Sequence, residues 1–167
     1  MIVHAIQSLW ARSLSEDYLD PDIWLREVND TLLRLGEREA HSATIGMFVI
    51  TPQQVTYWSA GHLPAWFVSQ ADKERHIDAI LGRGNMLGIK SKLTLHCKTY
   101  TLPEVGGILI FGSDGVFDRG TRNRRRDIFN ILDTTLKNNA LPLELCTVED
   151  DRTLVLVEFK NTLRKAA

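Results

Sequence analysis

The sequence predicts an α+β fold. Three observations predict it. Apolar residues recur at helical spacing in two stretches at the start and one near the end of the chain. Between them the pattern changes to period two, in short runs separated by tight turns, which is how antiparallel strands read. Helices grouped at the two ends argue against an alternating nucleotide-binding fold.

The first helix is expected from Met1 to about Ser15, with Ile2, Ala5, Ile6, Leu9, Trp10 and Leu14 on its buried face and no capping residue before it. The second begins at Asp20-Pro21, a side-chain cap followed by proline at the first helical position. Its apolar face is Ile23, Trp24, Val28, Leu32 and Leu35, Asn29 interrupts that face, and Gly36 is the stop.

Strands follow at Thr44–Thr51 and Val55–Ser59, joined as a hairpin across Pro52-Gln53-Gln54. Ala60-Gly61-His62-Leu63-Pro64 is a tight corner. Ala65–Val68 and Arg75–Ile80 are further strands. Gly82 to Ile89 resembles a phosphate cradle only loosely, lacks its lysine, and is expected to be a flexible loop. Leu93–Leu102 is a strand whose alternation turns Cys97 toward the core. Arg122 to about Asn138 is the third helix, with Ile128, Phe129, Ile131, Leu132 and Leu136 buried. Residues 140–147 are ambiguous, Thr153–Phe159 is the last strand, and 161–167 is a polar tail.

Composition narrows function. At 167 residues, 44% of them hydrophobic and 25% charged, the chain can build one domain with a real core. A net charge of -1 gives no global attraction to nucleic acid or anionic membrane. Two cysteines, Cys97 and Cys146, are too few for a disulfide framework and read as reduced cytosolic thiols. No run is long enough to span a membrane, and no secretory leader is visible. The five histidines show no zinc-ligand spacing, and Ser113 lacks the flanking glycines of a hydrolase elbow.

The most informative stretch is Ile108-Leu109-Ile110-Phe111-Gly112-Ser113-Asp114-Gly115-Val116-Phe117-Asp118. A buried strand ends in a turn that presents a carboxylate. A second acidic cluster, Glu149-Asp150-Asp151, precedes the last strand. Two such turns can meet over a hard divalent ion, which takes carboxylate oxygens and water. Both are also ordinary turn residues, and that plain reading has the greater weight on spacing alone. For His62 the plain reading is a corner cap. For the Arg119, Arg122, Arg124, Arg125 and Arg126 cluster it is a solvated helix face, with a phosphorylated or acidic partner as the functional alternative.

Five segments in order carry a resemblance. Thr44-Ile45-Gly46-Met47-Phe48-Val49-Ile50, Val55 through Pro64, Met86-Leu87-Gly88-Ile89, Leu109 through Asp118, and Asp150 through Val157 resemble successive motifs of the SpoIIE-type, RsbU-like branch of the metal-dependent type-2C (PPM) serine/threonine phosphatases. The resemblance covers the chain from the second helix to the last strand. It implies a phosphatase domain over 1–160 and an α-β-β-α sandwich of two antiparallel sheets between helix layers. It implies hydrolysis of phosphoserine or phosphothreonine on a regulatory protein, such as a STAS-domain anti-sigma factor antagonist, in the cytoplasm. It implies two manganese or magnesium ions and a bridging water for in-line attack on phosphorus. Carried over, Asp114 and Asp150 are the metal ligands, with Asp118 and Asp151 as additional candidates.

The family's upstream strands, with a Gly-Asp motif and an Asp-x-x-Gly-His-Gly motif, have no counterpart in this sequence. The chain therefore reads as an N-terminally truncated form, either a fragment or a short natural member. The alternative function is a catalytically inactive phosphatase-like module that binds a phospho-regulated partner. Self-association that covers unpaired sheet edges is also expected.

Overall fold

The computed structural model describes residues 2–15, 19–36, 41–71, 74–117, 125–140 and 151–160. These fall into two compact units, one from within 1–62 and 82–100, the other from within 63–81 and 101–167.

In the first unit, helix α1 (Ile2–Ser15) and helix α2 (Pro21–Leu35) precede strands β1 (Ile45–Ile50), β2 (Gln54–Ala60), the short β5 (Arg83–Gly84) and β6 (Leu95–Thr101). Asp20 caps α2 as its position predicts, accepting hydrogen bonds from the amides of Asp22 and Ile23. The sheet order is β1-β2-β6-β5. The β1–β2 hairpin pairs Met47 with Trp58 and Phe48 with Tyr57, so alternate residues face opposite sides. One side, with Met47, Ala60 and the nearby Leu87 and Leu93, packs against Trp24, Leu25, Val28 and Leu32 of α2.

The expected helix faces need correction in detail. Leu25 is fully buried and Ile23 is exposed, because the stripe facing the sheet is centred on Trp24, Leu25, Val28 and Leu32. On α1, Trp10 and Leu14 are exposed. Trp10 still meets the edge of Trp24, with ring centroids 5.4 Å apart at 81°. Cys97 is exposed rather than core-facing. It shares its side of β6 with Leu95, but the packing under α2 reaches Leu93 and Leu95 and leaves Cys97 and Thr99 uncovered.

The segment expected to be a flexible loop is tied down instead. Arg83 and Gly84 pair with β6, Ala43 and Leu87 exchange main-chain hydrogen bonds, and Leu87 is fully buried. Asn29, the polar interruption of α2, is buried among apolar neighbours and grips this segment. Its Oδ1 accepts the Gly88 amide at 2.9 Å and its Nδ2 donates to the Lys90 carbonyl at 3.1 Å. Gly88 sits at φ +78, and a Cβ there would run into the His41 carbonyl oxygen.

On the other side of the sheet, Phe48 stacks on Tyr57 at 4.5 Å, and Tyr57 is completely buried. Burial pushes the Tyr57 phenol up to about 12, while a hydrogen bond with Ser59 pulls the other way. The folded state therefore holds this proton more tightly than the unfolded chain. Its stabilising contribution is whole below the ordinary value of 10.0 and drains away as pH rises through about 12. A spectrophotometric titration should show a late tyrosinate step that Tyr57→Phe removes. An unchanged late step in that variant would contradict the assignment.

The second unit holds β3 (Ala65–Ala71), β4 (Glu74–Ile80), β7 (Gly107–Gly112), helix α3 (Arg125–Asn138) and β8 (Leu154–Phe159). Its sheet is antiparallel, in the order β4-β3-β7-β8. The central strand β7 buries Leu109 and Ile110 on opposite faces, which explains its unbroken apolar run. Trp66, Val68 and Ile110 pack against Ile128, Ile131 and Leu132 of α3, with Val116 and Phe117 completing the core. Leu136, expected on the buried side, is exposed in the last turn of α3. Arg75 of β4 ties the helix down by an ion pair to Asp133 at 2.8 Å and by lying over the Phe129 ring at 4.4 Å. Among the described residues, no helix is long and apolar enough to cross a membrane.

Candidate metal centre

The Asp114 turn is built at the end of β7. The Ser113 carbonyl accepts the amides of Val116 at 3.0 Å and Phe117 at 3.1 Å, which closes a tight turn with Asp114 at its start. Val116 and Phe117 then plunge into the core, and the Phe117 ring lies 4.5 Å from Trp66. The turn is thus anchored at both ends by buried apolar residues. Asp114 itself is half-buried.

The segment leading into β8 lies alongside. Register along β7–β8 ends with Gly112 opposite Leu154. Continued outward, it sets Ser113 beside Thr153 and Gly115 beside Asp151. The Ser113 amide donates to the Thr153 carbonyl at 2.9 Å, the Ser113 Oγ donates to the Asp151 carbonyl at 2.9 Å, and the Thr153 amide donates to the Ser113 Oγ at 2.9 Å. Both flanking glycines are required by close approach. A Cβ on Gly112 would strike the Thr153 carbonyl oxygen, and one on Gly115 would strike that of Asp151. The two acidic segments that the sequence singles out therefore meet at one end of one sheet.

Of the predicted ligands, Asp114 and Asp151 lie on these two contacting segments, and Asp151 is exposed. Asp118 and Asp150 lie outside the described residues, as does Cys146. Of the basic cluster, Arg119, Arg122 and Arg124 also lie outside them. Among the described residues, no three His, Cys, Asp or Glu side chains form a metal-holding group. The donor chemistry present is that of carboxylate oxygens on a tight turn, which suits a hard divalent ion that takes one or two carboxylates and keeps several waters. The same segment also borders a pocket of about 460 Å³, lined by Arg152 and Thr153 together with Thr135 and Asn139.

His62 performs the corner-capping role. Its Nδ1 lies 3.2 Å from Thr44 Oγ1, its amide donates to Ser59 Oγ at 3.2 Å, and its carbonyl accepts from the same hydroxyl at 3.1 Å. Ser113, which the sequence weighed only as a nucleophile, has its role in this contact, and its signal lay in Gly112 and Gly115, which mark a place where another backbone comes close.

The family model for Stage II sporulation protein E (SpoIIE) matches residues 1–160. The chain belongs to the SpoIIE family. The resemblance read from five ordered motifs is thus the chain's own family, and the phosphatase fold follows with it. A crystal structure of a bacterial serine phosphatase superposes with TM-score 0.62 at 15% identity, covering 83% of this chain and 68% of that one. A mutant of a bacterial serine phosphatase gives TM-score 0.60 at 16% identity, covering 82% of this chain and 64% of that one. The phosphatase domain of the cell fate determinant SpoIIE from Bacillus subtilis is 17% identical over 97% of this chain and 75% of that one, with TM-score 0.48. The chain spans about two thirds of the length of the serine phosphatase chains. A search of curated proteins returned no match. The likeness to the serine phosphatases shows the fold: α+β, with two antiparallel four-stranded sheets and three helices among the described residues of this SpoIIE-family chain.

Proposed function

We propose that this chain carries the Asp114–Asp150 part of a metal-dependent protein serine/threonine phosphatase site. The observation that carries the reading is the docking of the Ser113–Gly115 turn on Asp151–Thr153, which brings two carboxylate-bearing segments to one sheet end. In this reading Asp114 holds the ion from the β7 turn and Asp150 holds it from the segment entering β8. Asp118 and Asp151 are additional oxygen donors. Bound there, manganese or magnesium would neutralise phosphoryl charge and supply an ionised water.

The substrate in this reading is a phosphoserine or phosphothreonine on a cytoplasmic regulatory protein, such as a STAS-domain anti-sigma factor antagonist. The cavity beside Arg152 and Thr153 offers room for the residues next to the phosphorylated side chain. A second reading is a phosphatase-like module that binds such a partner without hydrolysis. Self-association remains part of both readings.

Manganese titration by calorimetry, paired with hydrolysis of p-nitrophenyl phosphate and of a phosphoserine peptide, separates them. Saturable binding with metal-dependent phosphate release is the expected result. Binding of a phosphopeptide without metal uptake or turnover would replace the enzymatic reading with the second.

A further inference from the structure

We propose that Ser113 is a positioning residue that holds the two carboxylate-bearing segments in register, an inference that rests on the metal-site reading above. In an antiparallel ladder, Ser113 and Thr153 would exchange two main-chain hydrogen bonds. Only one is made: the Ser113 amide donates to the Thr153 carbonyl at 2.9 Å. The Ser113 carbonyl is diverted into the turn, where it accepts the amides of Val116 and Phe117. Diverting it is what lets the chain leave the strand sharply enough to present Asp114 at the sheet end. The Thr153 amide would then lack its ladder partner, and the Ser113 Oγ takes that place at 2.9 Å. The same hydroxyl uses its own proton on the Asp151 carbonyl, also at 2.9 Å. One side chain thus replaces the missing ladder bond and adds a second bond two residues further out, to Asp151.

The geometry explains why a hydroxyl is needed at this position. The hydroxyl must accept and donate at once, toward two groups two residues apart on the same strand. Alanine can do neither, and beyond Gly112 and Leu154 only the bond from the residue 113 amide to the Thr153 carbonyl would remain. The Asp114 turn would keep its own hydrogen bonds and its buried anchors, Val116 and Phe117. What changes is the coupling between that turn and the segment 151–153. Ser113 therefore acts on the ion through the placement of Asp114 relative to the segment that starts at Asp151, as outer hydrogen bonds orient metal ligands elsewhere.

The test compares Ser113→Ala and Ser113→Thr with the wild type in the full chain. Calorimetry with manganese alone should show about a 10-fold or greater loss of affinity in Ser113→Ala. Threonine keeps the hydroxyl and should restore most of it. Hydrogen exchange provides a readout that needs no metal: the Thr153 amide should exchange at least about 10-fold faster in Ser113→Ala, with the amides of Ile110 and Leu156 unchanged. Unchanged manganese affinity in Ser113→Ala, against a wild type that binds, overturns the proposal. If the wild type takes up no manganese, the metal reading fails, and the exchange experiment alone judges the clamp. Faster exchange confined to Thr153 then supports it, and unchanged exchange overturns it. Failure of Ser113→Thr to restore either property also overturns it.

Discussion

Replacing Asp114 by asparagine is expected to abolish manganese-dependent phosphate release while leaving the fold in place. Asparagine has almost the same size, favours the same turns and accepts a hydrogen bond at the same position. The Ser113 carbonyl would still close the turn, and Val116 and Phe117 would still anchor it in the core. What disappears is a formal negative charge at the proposed ion site. Charge stabilisation at a bound ion is worth several kcal/mol, and at about 1.4 kcal/mol per decade the loss in rate is on the order of 100-fold or more. Calorimetry should show a parallel loss of metal affinity, and thermal unfolding should move by no more than the roughly 0.5 kcal/mol typical of mild surface changes. Unaltered metal-dependent turnover in Asp114→Asn would remove Asp114 from the site. A large fall in melting temperature would show that the carboxylate is chiefly structural.

The second large effect lies far from the acidic turn in sequence. Asn29→Leu keeps the shape of the side chain and removes both polar atoms. The wild-type amide satisfies the Gly88 N–H and the Lys90 carbonyl from within an apolar helix face. Leucine would match Val28 and Leu32 in character but leave both main-chain groups without this partner. At about 1–3 kcal/mol for a buried group that loses its hydrogen bond, less where water reaches it, the expected loss is about 2–4 kcal/mol. In a chain of this length that is on the order of 5–15 °C in melting temperature. Hydrogen exchange should rise first at Gly88, because its φ of +78 leaves it dependent on the clamp for its geometry. A loss below about 0.5 kcal/mol, within the range of ordinary surface substitutions, would mean that Leu87 and the pairing of Arg83 and Gly84 with β6 hold the segment without Asn29.

Asn29 shows where sequence reasoning reaches its limit. A polar residue on an apolar stripe is legible as an interruption. Its purpose is not, because the groups it serves arrive from residues 88–90, and nothing local announces them. Cys97 teaches the complementary point. Alternation along β6 correctly sets it on the same side as Leu95, but alternation reports side and not cover. Burial needs a second element over that side, and α2 covers only the end with Leu93 and Leu95. Ile23, Trp10, Leu14 and Leu136 fail for the same reason: periodicity defines a stripe, and the neighbour selects which part of it is buried.

The sequence by itself determined the α+β class, the α2 cap at Asp20-Pro21, the β1–β2 hairpin and the Asp114 turn. Each is encoded by residues a few positions apart, through side-chain capping, period-two alternation or a Ser-Asp-Gly turn. The order of five such segments was enough to reveal the SpoIIE family. Only the tertiary structure decided that the Ser113–Gly115 turn lies against Asp151–Thr153, with the Ser113 hydroxyl filling the ladder position that its own carbonyl has left. That contact joins segments separated by a whole helix, and its register is set by the pairing of β7 with β8 along their full length. Local propensity cannot encode such a register, whereas the packing of two strands in one sheet fixes every step of it.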